Sequence, residues 1–311
     1  MYNDNGYKYI TTEELLNLQQ GHQEILLLDP LPKSRFEQVH AIGAKNACVY
    51  EVSFLEQVAA LCNDKDKMIV ICGVDKDTYD AITAASKLQR DGYSNIAILK
   101  GGLAAWQQAG CPLAGESTDQ EPQPEKQFAD GRFQIDLESS VIQWAGRNSN
   151  TTHWGTLHLS DGEVSVTDGE VSGEFTIDMN SIDNINLAGN DLKSVLEDHL
   201  KSDDFFYVKK FPEARFKLLA KPIHDDRNSS LPNYHVKGEL TLCGVTASQE
   251  FDASLVQDEN GRLVAEAHFD FDRTRWGVIY GSTRFFKHLG MHLVFDHISL
   301  QLRVMTKKAD N

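Results

Sequence analysis

Short unbroken apolar runs alternate with amphipathic stretches over the first third of the chain. Ile25 to Leu28, Met68 to Ile71 and Ile96 to Leu99 are apolar without interruption and end in loop-forming residues, the pattern of strands covered on both faces. Between the last two, Ala81, Ile82, Ala84, Ala85 and Leu88 recur at helical spacing, and Gly92 supplies a stop. Strand, helix, strand in that order predicts an α/β domain with a largely parallel sheet flanked by helices. Later the period changes to two. Phe175, Ile177 and Met179 alternate with polar residues, as do Val236, Leu240 and Leu242, then Phe251, Ala253 and Leu255. Ala265, Ala267, Phe269 and Phe271 follow, and Ile298, Leu300, Leu302 and Val304 end the series. The DG pairs at Asp161 and Asp168 and the ENG at Glu259 are expected to turn the chain between strands. Many half-buried strands in succession predict an antiparallel sandwich or barrel. One short helix interrupts it, with Leu192, Val195, Leu196 and Leu200 on one face.

The two patterns are separated by AGESTDQEPQPEKQ, residues 114–127, which holds no apolar residue larger than Ala and cannot bury enough surface to order itself. The expected organisation is a first domain over 1–113, an acidic, proline-containing linker over 114–127, and a second domain over 128–311. A length of 311 residues suits two domains, each able to bury its own core. The formal net charge of −16, from 30 Lys+Arg against 46 Asp+Glu, argues against nucleic acid as a partner and against attraction to an anionic membrane surface. No basic segment followed by an apolar run opens the chain, and no apolar stretch is long enough to span a bilayer. The five cysteines are odd in number, widely spaced and free of any CxxC, which fits reduced thiols and a cytoplasmic location.

Three stretches of the first domain carry a resemblance to the rhodanese family of sulfurtransferases. LLLDPLPKSRFEQVHAIGAKN presents Asp29, Phe36, His40, Gly43, Ala44 and Asn46; KMIVIC corresponds to the central strand; DGYSNIAILKGGLAAWQQAGCPL runs from Gly92 through Gly101, Gly102 and Trp106 to Pro112. The resemblance implies a persulfide-forming cysteine at the end of the central strand, opening a loop of backbone N–H groups around the bound sulfur. Anchoring on KMIVIC puts Cys72 at or within one residue of that position, with Thr78 near the helix start. Anchoring on the following helix puts Asp75 there instead, and the stretch is too long for both anchors to hold. Lys76 in the loop is flanked by Asp75 and Asp77, and neighbouring carboxylates raise a thiol's pKa.

The second domain resembles the YceI-like family over roughly residues 132–305. DLKSVLEDHLKSDDFFYVKKFPEARFK and VKGELTLCGVTASQEFDASL carry its patterns, and HFDFDRTRWGVIYGS followed by FFKHLGMHLVFDHISLQLRV fits its final strands. The resemblance implies an antiparallel lipocalin-like barrel, described as polyisoprenoid-binding, with no catalytic group. Small inward residues (Gly238, Ala253, Ala265, Ala267) leave room beside bulky ones. Trp144, Phe175, Phe205, Phe206, Phe216, Leu242, Phe269, Phe271, Trp276 and Leu300 are the expected ligand-lining residues, and the helix after Leu192 is placed across a mouth.

Other constellations carry less. His288 and His292 are four apart, but Gly290 lies between them, no H-E-x-x-H pattern appears and no cysteine lies near, so no metal site is expected. Arg273 and Arg275 are expected on the outward face of a strand. The sequence therefore predicts a carrier of a long apolar ligand (polyisoprenoid, quinone tail or other lipid) beside an inactive rhodanese-like module. The alternative is a sulfurtransferase using Cys72, with the barrel as accessory. Edge pairing leaves a homodimer open.

Overall fold

The computed structural model describes residues 7–21, 24–116, 128–223, 231–258 and 260–307, so most of the expected linker and Glu259 of the ENG turn lie outside the described residues. The chain divides into two units, Met1–Pro124 and Glu125–Asn311.

The first unit runs β1 (Lys8–Ile10), α1 (Thr12–Gln20), β2 (Ile25–Asp29), α2 (Lys33–Gln38), β3 (His40–Ala41), β4 (Lys45–Asn46) and α3 (Phe54–Leu61), then β5 (Met68–Ile71), α4 (Asp80–Arg90), β6 (Ile96–Leu99), α5 (Gly102–Gln108) and β7 (Leu113–Ala114). Thr11 and Glu14 close a capping box on α1. A parallel sheet in the order β1-β6-β5-β2-β4 forms the centre. Its apolar runs feed two cores: Leu28, Ile69 and Ile71 pack with Phe54 and Leu88 on one face, and Leu27, Val70 and Ala97 with Leu15 and Trp106 on the other. Ala114 pairs with His40, and the Glu116 amide donates to the Glu37 carbonyl, so order continues a little beyond the expected start of the linker.

The second unit contains β8 (Gly131–Gln134), β9 (Val141–Arg147), β10 (Thr152–Thr167), β11 (Glu170–Asn184), α6 (Leu192–Lys201), β12 (Glu213–Pro222), β13 (Tyr234–Leu242), β14 (Val245–Gln257), β15 (Leu263–Asp272) and β16 (His297–Met305). Strands β11 through β16 follow as antiparallel neighbours, β16 pairs with β9, and β9 with β10. The β10–β11 pairing closes the ring, so the unit is an eight-stranded antiparallel barrel with one helix. β8 is no ninth wall strand. It pairs with the far end of β10, and Ile135 bridges to Thr306, so β8 and β9 occupy one place in the wall with a break between them. Closure leaves the ring of this unit without a free strand edge, and in the first unit β1 and β4 remain edges.

The two DG pairs behave differently. Asp168 (φ 50°) and Gly169 (φ 78°) form the tight β10–β11 turn, as left-handed residues must in a two-residue hairpin. Asp161–Gly162, also expected to turn, lies inside β10 at a register shift. A Cβ on Gly162 would come within 2.7 Å of the Phe175 ring and 2.9 Å of Ile135, so this glycine serves close packing at a bulge.

Arg273 corrects another expectation. The chain after Asp272 leaves the wall in a 3-10 turn, Arg273–Trp276, and Arg273 is 0% exposed. Its guanidinium donates to the carbonyls of Val278 (2.6 Å), Tyr280 (2.7 Å), Val294 (3.1 Å) and Phe295 (3.2 Å). A buried cation is tolerable only when its donors are so occupied. Arg275 is the exposed one, its guanidinium 5.1 Å from the Trp276 ring centre.

Polar residues cover the outside of the barrel, where Lys221 pairs with Glu170 (2.7 Å), Lys237 with Glu250 (3.5 Å) and Arg303 with Glu266. Apolar-in, polar-out is the reverse of a membrane-spanning barrel. Among the described residues no helix is long and apolar enough to cross a membrane.

Closure is tightest where Gly155 of β10 faces Asn184 of β11: a Cβ there would overlap the Asp183 carbonyl oxygen. Gly155→Ala is expected to lower the barrel's stability by about 1–3 kcal/mol, read as a lower urea midpoint with an unchanged m-value.

Candidate functional site

The period-two residues of the barrel converge on a cavity of about 430 Å³. Alternation along each strand places one apolar set inside: Phe175, Ile177 and Met179 from β11, Phe216 and Leu218 from β12, Leu240 and Leu242 from β13, Phe251 and Ala253 from β14, and Phe269 and Phe271 from β15. Aromatic rings gather at mid-height. Phe251 lies flat on Phe269 (centroids 4.1 Å apart, 7° between planes) and Phe216 is 5.9 Å from Phe251.

Small residues set the bore in two ways. Ala253, Ala265 and Ala267 line the cavity on the strands that carry Phe251 and Phe269 and leave space beside them. Gly238 does something else: a Cβ there would overlap the Phe216 ring, so this glycine lets that ring lie against the strand. The room at Gly238 is filled by protein.

The cavity is closed at one end and open at the other. Ile135, Leu263 and Thr306 seal the closed end and are buried. At the opposite end, Leu196, His199 and Leu200 of α6, with Phe205 and Phe206 just after it, form part of the lining. Tyr280 stacks edge-on against His199 (4.8 Å) and sits 5.1 Å from Phe205. Met291 and Phe295, 76% and 47% exposed, also line the cavity here, so this end meets solvent. Polar groups concentrate at this rim: His199 Nε2 lies 3.3 Å from Asp204, Tyr280 Oη 3.4 Å from His292 Nδ1, and Arg147 donates to Ser299 (2.8 Å).

Of the expected lining residues, Trp144, Phe175, Phe205, Phe206 and Phe216 face the cavity, as do Leu242, Phe269, Phe271 and Leu300. Trp276 does not. Its ring is fully buried edge-on against Phe271, and its Nε1 donates to the Leu240 carbonyl (2.7 Å), so it braces the wall near the mouth. Phe251 is the principal lining aromatic left out of that set, although its alternation with Ala253 and Leu255 marks its inward direction. Tyr280, Met291 and Phe295 come from irregular chain, where no period exists to expose them. His288 (φ 60°) lies before a three-residue 3-10 turn, Gly290–His292, that ends at His292, so no α-helix carries the pair, and no group of three His, Cys, Asp or Glu side chains placed to hold a metal occurs among the described residues.

In the first unit Cys72 follows β5 directly and is 1% exposed. Burial, then the charges of Asp29 and Asp80, push its thiol far above the ordinary cysteine range. Three of the loop N–H groups are taken: Asp80 accepts from Val74 N (2.9 Å), and Asp75 from Asp77 N (2.8 Å) and Thr78 N (3.0 Å). Lys76 is paired with Asp77 in solvent. Thr78 precedes the helix without opening it, since α4 begins at Asp80. Gly102 packs on this loop so closely that a Cβ would lie 2.8 Å from the Val74 carbonyl carbon. Asp29 is buried beside it, its carboxyl accepting from Leu31 N (2.9 Å). Desolvation raises its pKa to about 6 against that hydrogen bond.

Both halves have relatives. Residues 133–306 match the YceI-like domain, which is more than half of the chain, and the protein belongs to the YceI-like family. Residues 11–109 match the rhodanese-like domain, so the chain joins the two. Solved structures with similarity include BcnA of Burkholderia cenocepacia (19% identity, 56% of this chain and 99% of that one, TM-score 0.43). A polyisoprenoid binding domain from Saccharophagus degradans, implicated in plant cell wall breakdown, matches at 12% identity over 58% of this chain and 100% of its own, TM-score 0.40. The rhodanese-like domain of the Alr3790 protein from Anabaena sp. matches at 22% identity over 39% of this chain and 89% of its own, TM-score 0.32. A comparison with curated proteins finds no match.

Two outcomes follow from the Cys72 pocket. Iodoacetamide at pH 8 is expected to label the partly exposed Cys111 in the native protein and to spare Cys72 until denaturant is added, as peptide mass mapping will read. Because the folded Asp29 holds its proton up to about pH 6 and the unfolded chain releases it near pH 4, this group makes the first unit less stable as pH rises through that window. Asp29→Asn is expected to remove that slope and to stabilise the unit at pH 8 by about 2 kcal/mol, measured by hydrogen exchange of the β2 amides.

Proposed function

We propose that the barrel carries a long apolar molecule, a polyisoprenoid, quinone tail or comparable lipid, threaded from the α6 end toward Ile135 and Thr306. The observation that carries this reading is the lumen: about 430 Å³ of continuous apolar space in a closed wall, open at one end. That volume lies within the roughly 300–1,000 Å³ of small-molecule sites. Each methylene withdrawn from water there contributes about 0.8 kcal/mol. Membership of the YceI-like family supports the reading. Trp144, Phe175, Phe216, Phe269 and Phe271 form the proposed wall contacts, Phe205 and Phe206 the contacts at the mouth, and five free thiols fit a reducing, cytoplasmic setting.

The rhodanese-like module is proposed to lack sulfur transfer. A persulfide requires a thiolate in positive potential with free N–H groups around it. Cys72 has two nearby carboxylates, and three loop amides are bound to Asp75 and Asp80.

Organic extraction of the purified protein followed by mass spectrometry is expected to release an apolar chain-like molecule. Ala253→Trp with Ala267→Phe, which fill the bore, should lower uptake of a fluorescent prenol at least ~tenfold. Equal uptake in the filled variant would refute a luminal site. Thiosulfate-to-cyanide transfer is expected to be negligible both in the unaltered protein and in Cys72→Ser; turnover abolished by that substitution would establish the sulfurtransferase instead.

A further inference from the structure

Between Gly281 and Phe295 the chain makes an irregular excursion at the barrel's open end. Its base is rigid. Gly281 accepts from Val294 N (2.9 Å), a Cβ on Gly281 would lie 2.9 Å from Val294 Cγ2, and the Arg273 guanidinium ties together the carbonyls of Val278, Tyr280, Val294 and Phe295. The tip is turned out by His288 and Gly290, both left-handed (φ 60° and 54°). It holds Phe285 and Phe286 in solvent at 53% and 44% exposure, with Met291 beside them in sequence at 76%. Scattered apolar exposure is ordinary, but two aromatics and a methionine exposed on one braced loop call for a partner.

The occupant is indicated by three observations. Met291 and Phe295 belong both to the loop and to the cavity wall, so whatever covers the tip meets the opening. No Asp or Glu occurs between Arg273 and Phe295. Arg284 is neutralised by Asp272 (2.6 Å) and Asp296 (3.6 Å), which leaves Lys287 exposed with no ion-pair partner among the described residues. Exposed Phe and Met beside an unpaired Lys match the acyl boundary and the phosphate layer of a bilayer. We propose that residues 284–295 dock the mouth of the barrel on a lipid bilayer, Phe285, Phe286 and Met291 entering the acyl boundary and Lys287 meeting headgroup phosphate, so that the ligand passes between bilayer and lumen without crossing water. This rests on the carrier reading, whose ligand is itself bilayer-soluble. The polar outer wall means that the barrel touches the membrane and does not enter it. The net charge of −16 restricts attraction to contact range, so apolar insertion rather than anionic lipid drives binding.

Co-sedimentation of the full chain with phosphatidylcholine vesicles tests the proposal. The protein is expected to partition onto the vesicles, and Phe285→Ser with Phe286→Ser to lower that partition at least ~tenfold. Lys287→Glu, at a second solvated position, is expected to weaken it several-fold. Uptake of a fluorescent prenol delivered from cyclodextrin, which needs no bilayer, should remain as in the unaltered protein for all variants. Background partition of the unaltered protein, or partition indifferent to the double substitution, with cyclodextrin uptake intact, overturns docking and leaves the carrier reading standing. Loss of cyclodextrin uptake in the unaltered protein overturns the carrier reading and docking with it.

Discussion

Closure of the β10–β11 pair is the constraint on which the second unit depends. Once that ladder forms, each strand has two neighbours and every alternate residue must face a common interior. The interior is then governed by volume. Aromatic rings on β11, β12, β14 and β15 take one part of it, and Ala253, Ala265 and Ala267 leave another part open. A wall filled by side chains would need large residues where these alanines stand. The hollow is therefore a property of three small side chains as much as of the ring of large ones, and α6 with Tyr280 and Phe205 sets how much of its end is covered.

The first unit shows the converse, a fold whose central loop is held by its own carboxylates. The strand end, the following loop and helix α4 keep their order, and three of the loop amides are bound by carboxylates of the same segment. Asp75 and Asp80 stabilise the loop by capping it. The same capping engages three of the loop's N–H groups, and Asp80 adds negative charge near the thiol. Loop stability and thiolate formation are in direct opposition here.

Most of the architecture was legible in the sequence because it rests on period. The continuous runs of β2, β5 and β6 and the alternation of β13 to β16 are unmistakable, and inward direction follows from alternation, Phe251 included. What was not legible depends on contacts made from afar. The two DG pairs are identical in letters, and only the packing of Phe175 and Ile135 over Gly162 makes one of them a bulge. Arg273 reads as an outward strand residue, because the carbonyls that bind it belong to residues 278–295 in a segment without period. Trp276 reads as lining for the same reason. At Cys72 the two conflicting anchors reflect a longer loop, which the Asp75 turn accommodates before α4 begins at Asp80.

The broken position shared by β8 and β9 gives the barrel an uneven stiffness. Around most of the circumference, widening the ring means stretching an uninterrupted ladder. Between Gln134 and Val141 the regular ladder gives way to single bonds, Ile135 N to Gly162 O, Asp136 N to Met305 O and Met305 N to Ser140 Oγ, and β10 carries two register shifts against β11 on its other side. A seam of this kind has the fewest cross-strand bonds to oppose a widening of the hoop, and the other staves have the most.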